Sequence, residues 1–298
     1  MKKVLLILMC CMAIQSVHAQ DTPKWADKAK KAVFSIVTYD KENKIKNTGN
    51  GFYINNNGTA LSDYSLFEDA ERAVIINADG KELPVTRIAG ANSMYDVIKF
   101  RTETEKKITA LKVATQPAAV GETVYLLPYS TQKAAPCQTG KVTQVDTIAD
   151  KAYYYTLTMT TSDKTVSCPI MNANGEVLGL IQKSASEEDK ESYAIGASYG
   201  ESLSISPLSA NDINLNKIGI AKALPETEDQ ALVYLYMSSS QMDAKNYLAT
   251  LNDFLQAYPN STEGYTRRAG YYMNIGDDEH NALAEADLKK AMDVSGNK

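Results

Sequence analysis

Apolar and polar positions alternate in short runs from residue 33 to about 205. Runs at 33–39, 51–54, 73–76, 97–100, 123–127, 153–159 and 177–181 have the length and β-branched or aromatic content of strands. Turn formers stand between them, as in Asn55-Asn56-Asn57-Gly58, Asp79-Gly80 and Asn174-Gly175. Many short strands with little helix between them predict an all-β sandwich or barrels rather than a parallel sheet. A break at Thr115-Gln116-Pro117-Ala118-Ala119 divides the stretch into two similar halves, and residues 184–192 read as a charged surface loop.

The pattern changes after Pro207. Residues 208–226 are mixed and predict a linker, with Pro225 near the start of a helix. From 227 to 298 the spacing is helical. Leu232, Leu235 and Tyr236 share one predicted face, and Tyr247, Leu248, Leu251, Phe254 and Leu255 share another. Tyr258-Pro259-Asn260 ends that helix, Ser261 or Thr262 caps the next, and Gly276-Asp277-Asp278 makes the following break. Antiparallel helix pairs are the expectation.

Composition sharpens this picture at the N-terminus. Lys2 and Lys3 precede an apolar run over 4–14 that is short for a membrane span, and Val17-His18-Ala19 suits signal cleavage. Residues 1–19 therefore read as a signal peptide, with the mature chain beginning near Gln20, secreted or periplasmic and without membrane insertion. Cys10 and Cys11 lie in a run lacking the small residues of a lipoprotein cleavage box. The full sequence carries a net charge of −5; losing Lys2 and Lys3 leaves 29 basic against 36 acidic residues. That balance, with no dense basic run, argues against nucleic-acid binding. Of the four cysteines, Cys137 and Cys168 remain after cleavage, either as a disulfide or as two thiols. Nothing in the sequence calls for a cofactor, and scattered soft ligands make a metal site unexpected.

Candidate chemistry lies along the β region. Gly49-Asn50-Gly51-Phe52-Tyr53-Ile54 opens it, followed by Gly58-Thr59-Ala60-Leu61-Ser62-Asp63-Tyr64-Ser65. Asn92-Ser93-Met94-Tyr95-Asp96-Val97-Ile98-Lys99 comes next. Lys164-Thr165-Val166-Ser167-Cys168-Pro169-Ile170 follows, with Gly175 and Gly179 beyond it. On these residues the segment 31–206 resembles the trypsin-like serine proteases, nearest the bacterial Deg or high-temperature-requirement branch. The resemblance implies a double β-barrel over 29–207, with halves 29–116 and 117–207. It places Ser65 at the catalytic histidine, Asp96 at the acid and Val166 at the nucleophile.

Those residues depart from the family's chemistry. The two histidines are His18 and His280, so the segment holds no imidazole. Serine is no base at neutral pH, and valine cannot attack a carbonyl. Ser167 and Cys168 stand where paired glycines would form the oxyanion hole. Losing triad members costs on the order of 10⁴ to 10⁶ in rate in proteases where this is known. Candidate substitutes are Ser167 or Cys168 as nucleophile and Lys164 as base.

The tail resembles tetratricopeptide repeats through Tyr265, Ala269, Tyr272 and Gly276, then Ala284, Leu288 and Ala291; a plain helical hairpin is the alternative. A weaker unit spans 228–259. So few units need another surface, either the barrels or further chain past Lys298. His280 is expected to be solvated. The expected protein is a catalytically inactive protease homologue serving as a scaffold. It binds a protein or peptide through the helical tail, the inter-barrel cleft or both. The alternative is a working endopeptidase with a rearranged site.

Overall fold

The computed structural model describes residues 22–103, 108–132, 137–149, 152–182 and 190–296. The signal-peptide expectation, with Cys10, Cys11 and His18, lies outside them, as does most of the charged loop at 184–192. A short helix, α1 (Ala26–Ala29), leads into β1 (Val33–Tyr39), β2 (Ile45–Tyr53), β3 (Thr59–Ser62), β4 (Arg72–Ile76), β5 (Glu82–Asn92) and β6 (Val97–Thr102). These six close into an antiparallel barrel in the order β1-β2-β3-β6-β5-β4. Its interior is filled by Phe34, Phe52, Phe67 and Phe100, all essentially buried, with Phe67 and Phe100 ring centres 5.1 Å apart. Each such side chain contributes roughly 1.5–3 kcal/mol by leaving water. Gly51 lets β2 pass close to its neighbours, since a Cβ there would lie 2.8 Å from the Leu61 carbonyl oxygen and 2.7 Å from the Phe34 ring.

The second barrel is built from β7 (Thr123–Leu126), β8 (Gln138–Ala149), β9 (Ala152–Leu157), β10 (Pro169–Met171), β11 (Val177–Ile181) and β12 (Ser192–Gly196). Its closure, β10-β11-β12-β9-β8-β7, is the same strand order as the first, shifted by six strands. One hydrophobic core runs through both barrels. The predicted all-β double barrel followed by helices is the observed architecture.

After α2 (Ala197–Ser202) comes the stretch expected to link the barrels to the helices. A 3₁₀ turn (Pro207–Asn211) and α3 (Ile213–Asn216) precede an extended stretch that docks on β5. There the Ile88 amide donates to the Ala221 carbonyl at 2.8 Å, and the Ala223 amide to that of Ile88 at 2.7 Å. Ile218 and Ile220 are buried beside it. Apolar residues at 218 and 220 with two ladder bonds make this a packed segment rather than a free tether.

Four helices follow, α4 (Glu228–Ser238), α5 (Ala244–Ala257), α6 (Thr262–Ile275) and α7 (Asp278–Ser295), each packed on the next. Caps fix their starts: the side chains of Thr227, Asp243, Ser261 and Asp277 accept first-turn amides. Gly276 ends α6 in the left-handed conformation (φ 77°), which glycine adopts without cost. The α4 face differs from expectation. Ala231, Tyr234, Leu235 and Ser238 point inward, whereas Tyr236 is 68% exposed. The reason is that α4 packs on the 3₁₀ turn of the connector as well as on α5, which rotates its buried face. Arg87 of β5 bonds Asp253 of α5, so the helices rest on the first barrel.

In the tail, Ala269, Ala284 and Ala291 are buried, and Tyr265 and Tyr272 are half-buried. Leu288, expected in the core, is 39% exposed. The adjacent Asp287 takes the inward place instead, held by Arg268 through two bonds of 2.7 Å. That paired carboxylate fixes the rotation of α7 and turns Leu288 outward. His280 is partly covered: its Nδ1 lies 2.7 Å from an Asp277 carboxylate oxygen and its ring rests against Tyr272.

Candidate functional site

The strand pairing brings Ser65 and Asp96 together. Ser62 at the end of β3 pairs with Ile98 near the start of β6, so the turns beyond them meet. Ser65 lies in a single 3₁₀ turn (Tyr64–Leu66), and Asp96 in the tight β5–β6 turn at φ 47°. The Ser65 amide donates to Asp96 Oδ1 at 2.7 Å, and the Ser65 hydroxyl to Oδ2 at 3.0 Å. A carboxylate held this way satisfies an amide at the start of a helical turn. Neither oxygen orients an imidazole.

The opposite wall is the turn at 162–168, immediately before β10. The amides of residues 165–168 are all committed to carbonyls. Thr165 and Val166 both donate to the Ser162 carbonyl at 2.8 and 3.1 Å, Cys168 to Thr165 at 3.1 Å, and Ser167 to Ile181 at 2.8 Å. An oxyanion hole requires free N–H groups converging on one point. Here the amide of Val166, where the resemblance puts the nucleophile, is already committed. Asn50 of β2 ties this turn to the first barrel, donating to the Lys164 carbonyl at 3.1 Å and the Val166 carbonyl at 2.9 Å. A second bridge runs through Gln182, which donates to the Tyr95 carbonyl at 2.6 Å and accepts from the Tyr154 hydroxyl at 2.7 Å.

The candidate substitutes are placed as follows. Val166 is half-buried and Lys164 exposed, whereas Ser167 is fully buried at φ 64°. Cys168 is a fully buried free thiol whose pKa is pushed up to about 12, chiefly by burial. Such a thiol stays protonated at neutral pH, which argues against it as a nucleophile. Cys137 is also free, half-buried and pushed up to about 11 by burial and by Asp27. The disulfide alternative is thus replaced by two separate thiols. Among the described residues no group of His, Cys, Asp and Glu is placed to hold a metal ion.

Two residues at this seam escaped the sequence reading. Asn50 looked like a strand residue in a glycine pair. Asp63 sits two positions before Ser65, is only 2% exposed, and has Oδ1 sealed away without a hydrogen-bond partner. Burial holds its carboxyl well above the ordinary range, and repulsion from Asp96 adds to this; the nearby Ser167 hydroxyl partly offsets the rise. A signal was present, because β3 is buried on both faces and an acid directly after it is out of place.

Two closed six-stranded barrels of one strand order, joined across this seam, constitute the trypsin-like protease fold. Residues 49–180 match the family model described as the trypsin-like peptidase domain. Among solved structures the chain is similar to the Rv3671c protease in an inactive form, at 15% identity and a TM-score of 0.46, over 57% of this chain and 85% of that one. It is also similar to the serine endoprotease from Yersinia pestis, at 16% identity and a TM-score of 0.49, over 58% of this chain and 61% of that one. The curated proteins contain no match to the chain.

Proposed function

We propose that this chain is a non-cleaving relative of the trypsin-like proteases, nearest the Deg branch, kept as an exported scaffold for protein or peptide partners. The observation that carries the reading is the Ser65 hydroxyl, hydrogen-bonded to Asp96 at the position of the catalytic imidazole. A hydroxyl there cannot take a proton from a nucleophile at neutral pH, and Val166 offers none to take. The committed amides of residues 165–168 support the same conclusion. The tail is read as tetratricopeptide-like, consistent with the Gly276 break and the buried Ala269, Ala284 and Ala291. Export rests on the basic and apolar pattern of residues 1–19.

A fluorophosphonate probe and an unstructured protein substrate test the reading together. No covalent adduct and no cleavage above buffer are expected from the full chain. Labelling at Ser65 or Ser167, or cleavage abolished by Ser167→Ala, would establish the rearranged endopeptidase instead.

A further inference from the structure

Away from the seam, the connector and the first two tail helices enclose a cavity of about 230 Å³. The scaffold reading makes no use of it. On the connector side it is lined by Lys222, whose Nζ donates to the Ile218 carbonyl at 2.5 Å and to the Ile220 carbonyl at 2.8 Å. An ammonium carries three hydrogens, which leaves one without an acceptor among the described residues. Burial pushes the pKa of this amine down to about 8, and Glu71, acting through charge alone, offsets this only in part. On the helix side the cavity meets Ser238 of α4, which is 1% exposed and whose Oγ is closed to water without a hydrogen-bond partner. The Tyr234 hydroxyl, one turn earlier, acts on that oxygen, yet no hydrogen bond joins the two. Asp243, the one acid among the described lining residues, is exposed and spends both oxygens on Asn246 at the start of α5.

We propose that this cavity is a binding site for a small monocarboxylate, whose oxygens accept from Lys222 Nζ and Ser238 Oγ. Both groups are donors, and both lack the acceptor that buried polar groups ordinarily have. A single cation matches a single negative charge, whereas a phosphate dianion would leave charge uncompensated in a partly dry site. The cavity is smaller than the roughly 300–1,000 Å³ of sites for drug-sized molecules, so the ligand is small. Ile220 and Ala210, both buried, line the same space and offer its hydrocarbon end an apolar wall. One wall is the connector docked on β5 and the other is α4 and α5, so the bound carboxylate ties the helices to the first barrel and stabilises the folded chain. The site stands whether or not the chain cleaves peptides or binds a partner.

Sodium acetate is the probe, titrated into the full chain with sodium chloride holding the ionic strength constant and followed by NMR of lysine Cε and of backbone amides. The Lys222 signal and the Ser238 amide should shift saturably. The Lys222 midpoint should also rise in acetate, since an opposite charge favours the ammonium. Lys222→Met should weaken binding by at least about tenfold and Ser238→Ala by about threefold, the ordinary worth of a charged and of a neutral hydrogen bond. A response that stays linear in acetate, an affinity unchanged in Lys222→Met, or phosphate binding more tightly than acetate overturns the site. Should Lys222→Met fail to fold, an unchanged affinity in Ser238→Ala or an unmoved Lys222 midpoint overturns it alone.

Discussion

The two walls of the seam are held in different ways. On the first-barrel side, Asp96 and Ser65 are partly open to water and bonded to each other at 2.7 and 3.0 Å. On the second-barrel side, the 162–168 turn is largely closed in. Ser167 is fully buried with an unpartnered hydroxyl and a positive φ, and the surrounding amides are committed. The difference separates two kinds of persistence. Asp96 has a structural duty, holding the Ser65 amide in the first turn of a 3₁₀ helix, so its presence says little about catalysis. The turn is where strain and unsatisfied polarity are concentrated, and where substitutions should be felt.

Ser167→Val should show the largest contrast. A β-branched side chain at φ 64° adds backbone strain of roughly 1–3 kcal/mol, and overpacking adds a similar amount. Urea unfolding should therefore report a loss of about 3 kcal/mol. Ser65→Val, at an exposed position, should cost no more than about 1 kcal/mol, so equal losses at the two positions would erase the distinction.

Asn50→Ala comes next. It deprives the Lys164 and Val166 carbonyls of the donor that joins the barrels, at 3.1 and 2.9 Å. Leaving these part-buried carbonyls without their donor costs up to roughly 2 kcal/mol. For a chain of 298 residues a 2 kcal/mol loss corresponds to a melting temperature lower by roughly 3 °C. A melting temperature unchanged in Asn50→Ala would mean that the walls are held by other contacts, Gln182 first among them.

Much of this was legible in the sequence, for particular reasons. The runs at 33–39 and 177–181 coincide with β1 and β11, because compact apolar runs bounded by turn formers leave little choice. β5 was missed: its eleven residues include Pro84 and Arg87, and bulges at Val85/Arg87 and Ile88/Gly90 break the alternation. β10 is only three residues long and β12 follows a charged run, so neither has a pattern of its own. The pairing of Ser65 with Asp96 followed from the family resemblance. Asp63 and Asn50 did not, since their roles arise from contacts between barrels more than a hundred residues apart in sequence. Tyr236 and Leu288 fell on the wrong faces because helical periodicity names a stripe without saying which neighbour it meets.

The smallest expected effect is the most discriminating. The double variant Ser65→His with Val166→Ser places an imidazole beside Asp96 and a hydroxyl at the proposed nucleophile position. Both positions are at least partly exposed, so the fold should survive. If side chains alone had been lost, this variant would regain reactivity towards a fluorophosphonate. The geometry argues otherwise, because the amide of residue 166 donates to the Ser162 carbonyl at 3.1 Å and is unavailable to an oxyanion. Loss of one oxyanion donor typically costs on the order of 10²–10³ in rate, which leaves a restored dyad close to background. Labelling within twofold of the wild-type blank is the expected outcome, read by mass spectrometry of the intact chain. Strong labelling would show that the turn re-forms readily once a nucleophile is present. The contrast between an open first wall and a closed second one would then vanish.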